Sequence, residues 1–464
     1  MSLSEAGYPN KAGSFMNFRQ SNLPMYIFGG LLLAVSVKPA SAETLESMVR
    51  TAIMHHPGVE TVRSQSKAAQ EEETAEASAY YPELSVVATG GRMYADNSTS
   101  RGLSVTRGSG YSYLWEGSAT ASQMIFDGFE TKNRVSSAVS KARAIDMDVL
   151  DIGEDLALRA TQAYLNVLRT RSALSMLRDH QKKVLNYLER IKISVDEGVS
   201  DDSEYQQARD VTVILDGFIT DYEGQARIAE ADYLEVTGAF PGADMEAPAP
   251  KLADIPASLE DAISYVKDHH PALKSALYSS RSSEADIEAE RAGLYPDLKG
   301  ELSYLKTDKD DLIGGEAEDR RAVIRMNWDF ETGGAQIAKI RQKRYQHQEA
   351  LSKLNEKQRQ LENKVRLAYA ELQTSQNQRT NQQNRLDLNT KLFDTYTVQF
   401  EGARINLLQL MQADNQLFST KLEKLNGEYR ILASQYNVLA SIGRLQSSLM
   451  VASSGVKSLA HEQN

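Results

Sequence analysis

The side chains best suited to chemistry in this 464-residue chain are few. Two triplets, His55-His56-Pro57 and His269-His270-Pro271, offer imidazoles for metal ligation or proton transfer. Adjacent histidines point apart, no third ligand recurs beside either pair, and proline disfavours helix in the residue before it. The triplets therefore predict a break between two helices, with proline opening the second. The other histidines, His180, His347 and His461, have no metal-binding spacing. Cysteine is absent, which removes disulfides, thiolate metal sites, cysteine nucleophiles and a lipid-modified cysteine. Gly90-Gly91, Gly314-Gly315 and Gly333-Gly334 read as strand and turn features, because none follows a buried strand and opens a βαβ unit. No catalytic, cofactor-binding or metal residue is assigned, and the chain is expected not to be an enzyme. One acidic run remains. Asp201-Asp202-Ser203-Glu204 either starts a helix, whose N-terminal end favours acids, or charges a constriction, and the two roles are compatible.

Composition narrows the setting of these residues. The formal charge is −11, which argues against nucleic acid as a partner. The mean hydropathy of −0.45 excludes a polytopic helical membrane protein. Only 11 prolines and 28 glycines punctuate the chain, so a few very long elements are expected. Residues 1–42 have the form of a secretory signal. Lys11 and Arg19 precede the apolar run Met25–Val37, and Ala40-Ser41-Ala42 is a small-residue cleavage site. Cleavage before Glu43 is expected, a retained signal anchor being the alternative, and Met16 is a second possible start.

A duplication organises the rest. Leu45-Glu46 recurs as Leu259-Glu260, the first His-His-Pro as the second, and Tyr81-Pro82-Glu83-Leu84 as Tyr295-Pro296-Asp297-Leu298, all 214 residues apart. Later pairs, such as Glu197-Gly198 with Glu401-Gly402, sit at 204 or 205. The expected units are a first repeat at 43–238, a proline-marked linker at 239–257, a second repeat at 258–446 and a polar tail at 447–464.

Each repeat reads helix, strand, strand, long helix, helix. Residues 59–80 and 273–293 are helical in composition, and a Tyr-Pro pair ends each one. The apolar period then changes from 3.6 to 2. Strands are expected at Pro82–Tyr94, Tyr111–Ser122, Pro296–Lys306 and Arg321–Phe330. Tyr111, Tyr113 and Trp115 share one face with Gly117, Ala119 and Ala121; Ile324, Met326, Trp328 and Phe330 share another with Ala322. Ten to thirteen residues with one apolar face suit a tilted membrane strand. These faces are expected to meet outer-membrane lipid, with a soluble sandwich edge as the competing reading of any one strand. Four strands cannot enclose a channel, so several chains must contribute. The joining segments, Ala95–Gly110 and the stretch with Asp308, Asp310, Asp311, Gly314 and Gly315, carry turn residues and are expected outside the cell.

Gly128–Glu197 and Gly334–Glu401 read as helices of about 100 Å. Such lengths hold only when packed along their course. Seams with 3-4 spacing supply that: Leu174, Leu177, Gln181, Val184, Leu188, Ile191 and Val195; Leu351, Leu354, Gln358, Leu361, Val365, Ala368 and Leu372; and Phe418, Leu422, Leu425, Tyr429, Leu432, Tyr436 and Leu439. Gln373–Arg385 has no apolar residue and is expected to face water.

The signal, the duplication, the Tyr-Pro strand starts, Phe126-Asp127-Gly128 and Gly402-Ala403-Arg404 before Leu407–Phe418 together resemble the TolC family of outer-membrane channels over about 43–446. The resemblance implies a mainly α chain with a membrane β-barrel: four strands from each copy of a homotrimer form a twelve-stranded barrel on a long helical tunnel. It implies a cell outer-membrane location reaching into the periplasm. It also implies an aperture at the periplasmic tip, lined by acids and held by an Arg and a Tyr. Gly402 and Arg404 match the Gly-x-Arg turn, and Glu204, with Asp201 and Asp202, matches the first-half acidic position. The second-half acids are replaced by Gln409 and Gln412, and the Tyr by Gln399.

The function expected is the exit duct of a type I protein secretion system, joined to a periplasmic membrane-fusion adaptor and an inner-membrane ABC transporter. The alternative within the family is the duct of a multidrug efflux pump driven by protons. The alternative from another class is a soluble periplasmic coiled-coil adaptor, which explains the seams but not the four strands.

Overall fold

The computed structural model describes residues 43–95, 110–249, 254–309, 316–330 and 332–450. The signal at 1–42, loop residues 96–109 and 310–315, and tail residues 451–464 lie outside the described residues. In chain order the elements are α1 (Leu45–His55), α2 (Pro57–Ala77), β1 (Glu83–Ala95), β2 (Gly110–Phe126), α3 (Glu130–Asp196), α4 (Asp202–Thr237), α5 (Leu259–His269), α6 (Pro271–Arg291), β3 (Asp297–Lys309), β4 (Glu316–Asn327), α7 (Ala335–Glu401), α8 (Leu407–Ser441) and α9 (Leu445–Met450). The order of the first six elements recurs in the second six.

Local chemistry explains each boundary. His56 is extended between α1 and α2, and its Nδ1 accepts from Gly58 N at 3.0 Å. His270 does the same for α6, accepting from Ala272 N at 3.2 Å. Both act as N-caps, each followed by proline at the first helical position, where its missing N–H costs nothing. One 3₁₀ turn, Ser78–Tyr80 or Ala292–Leu294, then closes the second helix just before Pro82 or Pro296. At the return from sheet to helix, Gly128 has φ +66°, and a Cβ there would lie 2.8 Å from Ala292 O. Only glycine fits.

The strands form one antiparallel sheet in the order β1-β2-β3-β4. The register places Leu84 opposite Ala121, Ala121 opposite Leu302 and Leu302 opposite Ala322, so one face runs apolar across all four strands. The other face carries Glu301, whose two carboxylate oxygens accept from Arg325 Nε and Nη2 at 3.0 and 2.9 Å.

The fourth strand corrects the expectation. It spans Glu316–Asn327, so Trp328 and Phe330 follow it and are not in the ladder. β3 begins at Asp297, and with Asn327 paired to that residue the ladder has no partner to offer beyond. Asn327 Nδ2 instead donates to Asp329 at 3.0 Å. At the other end Asp308 pairs with Glu316 in the ladder and so lies in β3 rather than in a loop, and Lys306 forms an ion pair with Glu316 at 2.6 Å.

α3 and α7 each run 67 residues, about 100 Å. α3 pairs with α4 and α7 with α8, forming two helical hairpins; α3 also packs on α2, α6 and α8. The expected seams lie inward: Leu174, Leu177, Val184 and Ile191 are buried on α3, and Leu361, Val365, Ala368 and Leu372 on α7. The largest apolar core gathers α1, α3, α4, α5, α8 and α9 around Tyr164, Tyr233 and Tyr436. A second one, nearer the hairpin tips, joins Leu177, Val184, Ile191, Ala208 and Leu215 to Leu408 and Met411.

Two further stretches add detail to the expectations. Residues 447–450 belong to α9, whose Leu445 and Leu449 are buried. Two backbone N–H groups at the start of α9, Leu445 and Gln446, donate to the Glu154 carboxylate at 2.9 and 3.1 Å. Burial raises that carboxyl to about 7. Gln373–Arg385 is mostly exposed, yet its seam continues in polar form. Ser375 is buried, Arg430 donates to Gln378 at 2.9 Å, Arg385 pairs with Glu423, and Gln382 lies over the bare backbone of Gly427.

The seams predict unequal costs. Leu177→Ala removes a fully buried side chain and is expected to cost about 2–5 kcal/mol. Leu185→Ala, 46% exposed on the same helix, is expected to stay within about 0.5 kcal/mol. Thermal unfolding followed by circular dichroism in detergent checks this; equal shifts would show that the seam does not hold the hairpin. His270 gives a pH prediction. Burial, aided by Lys364 and Lys357, lowers its pKa from 6.5 to about 4. Between those values the unfolded chain takes up a proton that the folded chain refuses, so this contribution to stability is lost as pH falls from 6.5 to 4. His270→Asn keeps a capping side chain and removes the titration; a flatter stability slope from pH 6.5 to 4 is the expected result.

Candidate functional site: helical tips and membrane sheet

The first tip joins α3 to α4. Gly198 takes φ +74°, Val199 N donates to Ser194 O at 2.8 Å, and the chain turns back. Asp201 is the N-cap of α4, its carboxylate accepting from Ser203 N at 2.8 Å. That bond lowers the Asp201 pKa. Asp202 is exposed on the first turn, and Glu204 is half-buried. The helix-start reading of this acidic run therefore holds.

The second tip joins α7 to α8. Arg404 N donates to Gln399 O at 2.8 Å, repeating the Val199–Ser194 bond. The left-handed residue here is Ala403, φ +53°, whereas Gly402 has φ −81°. The two turns thus superpose at an offset of 205, with Gly198 matching Ala403 and Asp201 matching Asn406. Asn406 caps α8 by accepting from Gln409 N at 2.9 Å, and Gln409 accepts in return from Asn406 N at 3.3 Å. Gln409 is thereby the far side of a capping box. Gln412 and Arg404 are exposed, and the Arg404 guanidinium has no ion pair among the described residues.

Glu204 and Gln409 occupy equivalent third positions in their helices, and the tips meet through the first of them. Asn406 Nδ2 donates to Glu204 Oε1 at 2.7 Å. Further contacts tie the two hairpins together. Asp414 is buried here, its Oδ2 has no partner, and its charge helps burial to raise the Tyr187 pKa. The His180 ring nitrogen and Asn415 Oδ1 are 2.6 Å apart, and the ring stacks on Phe418 at 4.0 Å. Burial lowers the His180 pKa. Arg190 lies over the Phe400 ring at 5.7 Å. Asn406, His180, Asn415, Arg190 and Phe400 were not singled out from sequence. For Asn406 a signal existed, since Asn followed three residues later by Gln is a capping-box pattern.

Of the residues expected to face lipid, Tyr113, Trp115, Ile324 and Met326 share one face of the sheet and are 63–74% exposed. The register sets Tyr111 opposite Tyr94. Trp328 and Phe330 are 47% and 72% exposed just past β4, their rings 4.6 Å apart. Trp115 packs against Gly90, where a Cβ would come within 2.7 Å of the indole. No described helix is long and apolar enough to cross a membrane. No group of three His, Asp or Glu side chains able to hold a metal occurs among the described residues.

An apolar-faced sheet on two long helical hairpins is the form of an outer-membrane channel. The family model for outer membrane efflux proteins matches residues 48–238 and 262–444. The chain belongs to that family. Among relatives, the outer membrane efflux protein BepC of Brucella suis is 22% identical over 329 residues, covering 70% of this chain and 71% of that one. Among solved structures, the CmeC outer membrane channel of Campylobacter jejuni matches with a TM-score of 0.75 at 14% identity, covering 92% of this chain and 94% of that one. The open state of the MtrE outer membrane channel of Neisseria gonorrhoeae matches with a TM-score of 0.71 at 14% identity, covering 86% and 89%. This efflux-family chain is a TolC-type protein of the outer membrane, with its helices in the periplasm. Its family and fold are those of channels, which sets aside the soluble-adaptor reading.

The link between the tips can be tested by charge. Asn406→Asp keeps a cap but sets a second carboxylate against Glu204. Asn406→Ser keeps a cap without the reach. Both are expected to loosen the tips, the aspartate more, read as larger single-channel conductance in planar bilayers. Equal, unchanged conductance would show that this contact does not hold the tips.

Proposed function

We propose that three copies close a twelve-stranded barrel and a helical duct, and that this duct is the exit of a type I protein secretion system. One observation carries the assembly. The sheet is open, with β1 and β4 as its edges, and its outward apolar face continues into helices of 67 residues. In lipid an unpaired strand edge is untenable, so β1 of one copy must pair with β4 of the next. The partners are a periplasmic membrane-fusion adaptor and an inner-membrane ABC transporter that supplies the energy. An apolar groove of ≈ 510 Å³ between α4 and α8, walled by Phe218, Tyr222 and Phe418, is a seat for adaptor helices.

Support for secretion comes from the signal's cleavage site, Ala40-Ser41-Ala42 before Glu43, which has no cysteine for the lipid anchor common among efflux ducts. A second reading, drug efflux with a proton-driven pump, is favoured by the efflux designation of the Brucella relative. Deleting the gene separates them. Loss of one protein from the culture medium at unchanged drug tolerance supports secretion; the reverse assigns efflux.

At the aperture, Asp202 and Glu204 from three copies would form a negative ring, while Gln409 and Gln412 contribute no charge. Glu204→Gln with Asp202→Asn is expected to reduce cation selectivity severalfold in single-channel recordings. Unchanged selectivity would sink the ring.

A further inference from the structure

Glu43, the residue directly after the small-residue cleavage site, is held more fully than a chain entry requires. Its backbone N donates to Asp244 O at 3.0 Å, and its carbonyl accepts from Glu246 N at 3.0 Å. Together they form a parallel bridge to Met245 in the linker between the repeats. The Tyr164 hydroxyl lies 2.6 Å from Glu43 O and 2.7 Å from Glu246 O. The Glu43 carboxylate accepts from Tyr233 and, at 3.1 Å, from Gly242 N. Tyr164 and Tyr233 are 0% and 1% exposed; the Tyr233 hydroxyl is committed to Glu43, and the Tyr164 hydroxyl is shared between Glu43 O and Glu246 O. Arg171 braces the far wall, donating to Gly242 O at 2.5 Å.

We propose that Glu43 is the amino terminus created by export processing, and that Tyr164, Tyr233, Gly242 and Asp244 form its receptor. The receptor would hold the new α-ammonium at Asp244 O and the carboxylate at Tyr233. The proposal rests on the reading of 1–42 as a cleaved signal. A signal peptidase adds water across the Ala42–Glu43 amide; Ala42 leaves as a carboxylate and Glu43 gains an α-amine, protonated near neutral pH. Burial is the first cause that pushes the Tyr164 hydroxyl up to about 12, and by itself it disfavours any charge; the carboxylates of Glu43, Glu246 and Glu46 act after it and favour a cation, with Arg171 already facing Tyr233. A free ammonium brings positive charge to this acidic corner, where an amide brings none. The docked residue joins the start of α1 to the linker, to α3 through Tyr164 and to α4 through Tyr233. Glu43 thus staples the first repeat, and signal removal would add an ammonium to a contact already in place.

The test uses the full chain purified from outer membranes in detergent. Intact mass and N-terminal peptide mass spectrometry are expected to give a chain starting at Glu43. Any other start overturns the processing step. Reductive methylation then probes the receptor. The Glu43 α-amine is expected to react about tenfold more slowly in the native protein than in the same protein unfolded, because it reacts only through local opening. A native rate equal to the unfolded one, on a chain that does start at Glu43, overturns the receptor alone. Tyr233→Phe should raise the α-amine rate severalfold while lysine rates stay put. An unchanged rate would show that the carboxylate grip plays no part and would refute that half of the site.

Discussion

In hydrocarbon a backbone N–H or C=O has no water to bond, so every such group in a membrane strand needs a partner strand. Here β1 and β4 are edges of an open sheet, and the face bearing Leu84, Trp115, Leu302 and Ile324 is exposed. The chain alone cannot meet that condition. The proposed trimer meets it by pairing edge with edge. The helices inherit the arrangement, because the turn at Gly128 passes directly from β2 into α3. The apolar seams then let each 67-residue helix stand against its neighbours.

The tips show how a duplication can keep geometry while altering charge. Both turns use one left-handed residue followed by an N-cap, Gly198 and Asp201 in one, Ala403 and Asn406 in the other. A side-chain oxygen is all that a cap requires, so Asp and Asn serve equally. The third positions, Glu204 and Gln409, have diverged in the same way. The result is a neutral amide donating to a carboxylate where the two hairpins meet. Away from the tips the hairpins are joined by polar contacts such as His180 with Asn415, set among apolar side chains.

Much of this was legible from residue order. The Tyr-Pro pairs, the His-His-Pro breaks and the 3-4 seams all act through neighbours within a few positions, so local sterics and periodicity suffice to read them. The end of β4 was not legible, because Trp328 and Phe330 continue the alternation after the partner strand has run out. Nor was the polar seam beyond Ser375, since a glutamine resting on Gly427 leaves no periodic trace. The turn register shifts as well: Gly402 answers to Gly198 by sequence, but the left-handed conformation lies one residue later, at Ala403.

By itself the sequence determined the family, the element order and the apolar alternation of the strands, because each is written in residue types at short and regular spacing. Tertiary structure alone decided which chemically able side chains are spent on the fold. The four histidines that invite a catalytic reading are neighbours in sequence, yet His56 and His270 face their own helix starts and are used as caps. Glu204 meets Asn406 across some two hundred residues, and Glu43 meets Tyr233 across a similar span. Such contacts depend on two long hairpins packing in one register, and no local spacing encodes that register.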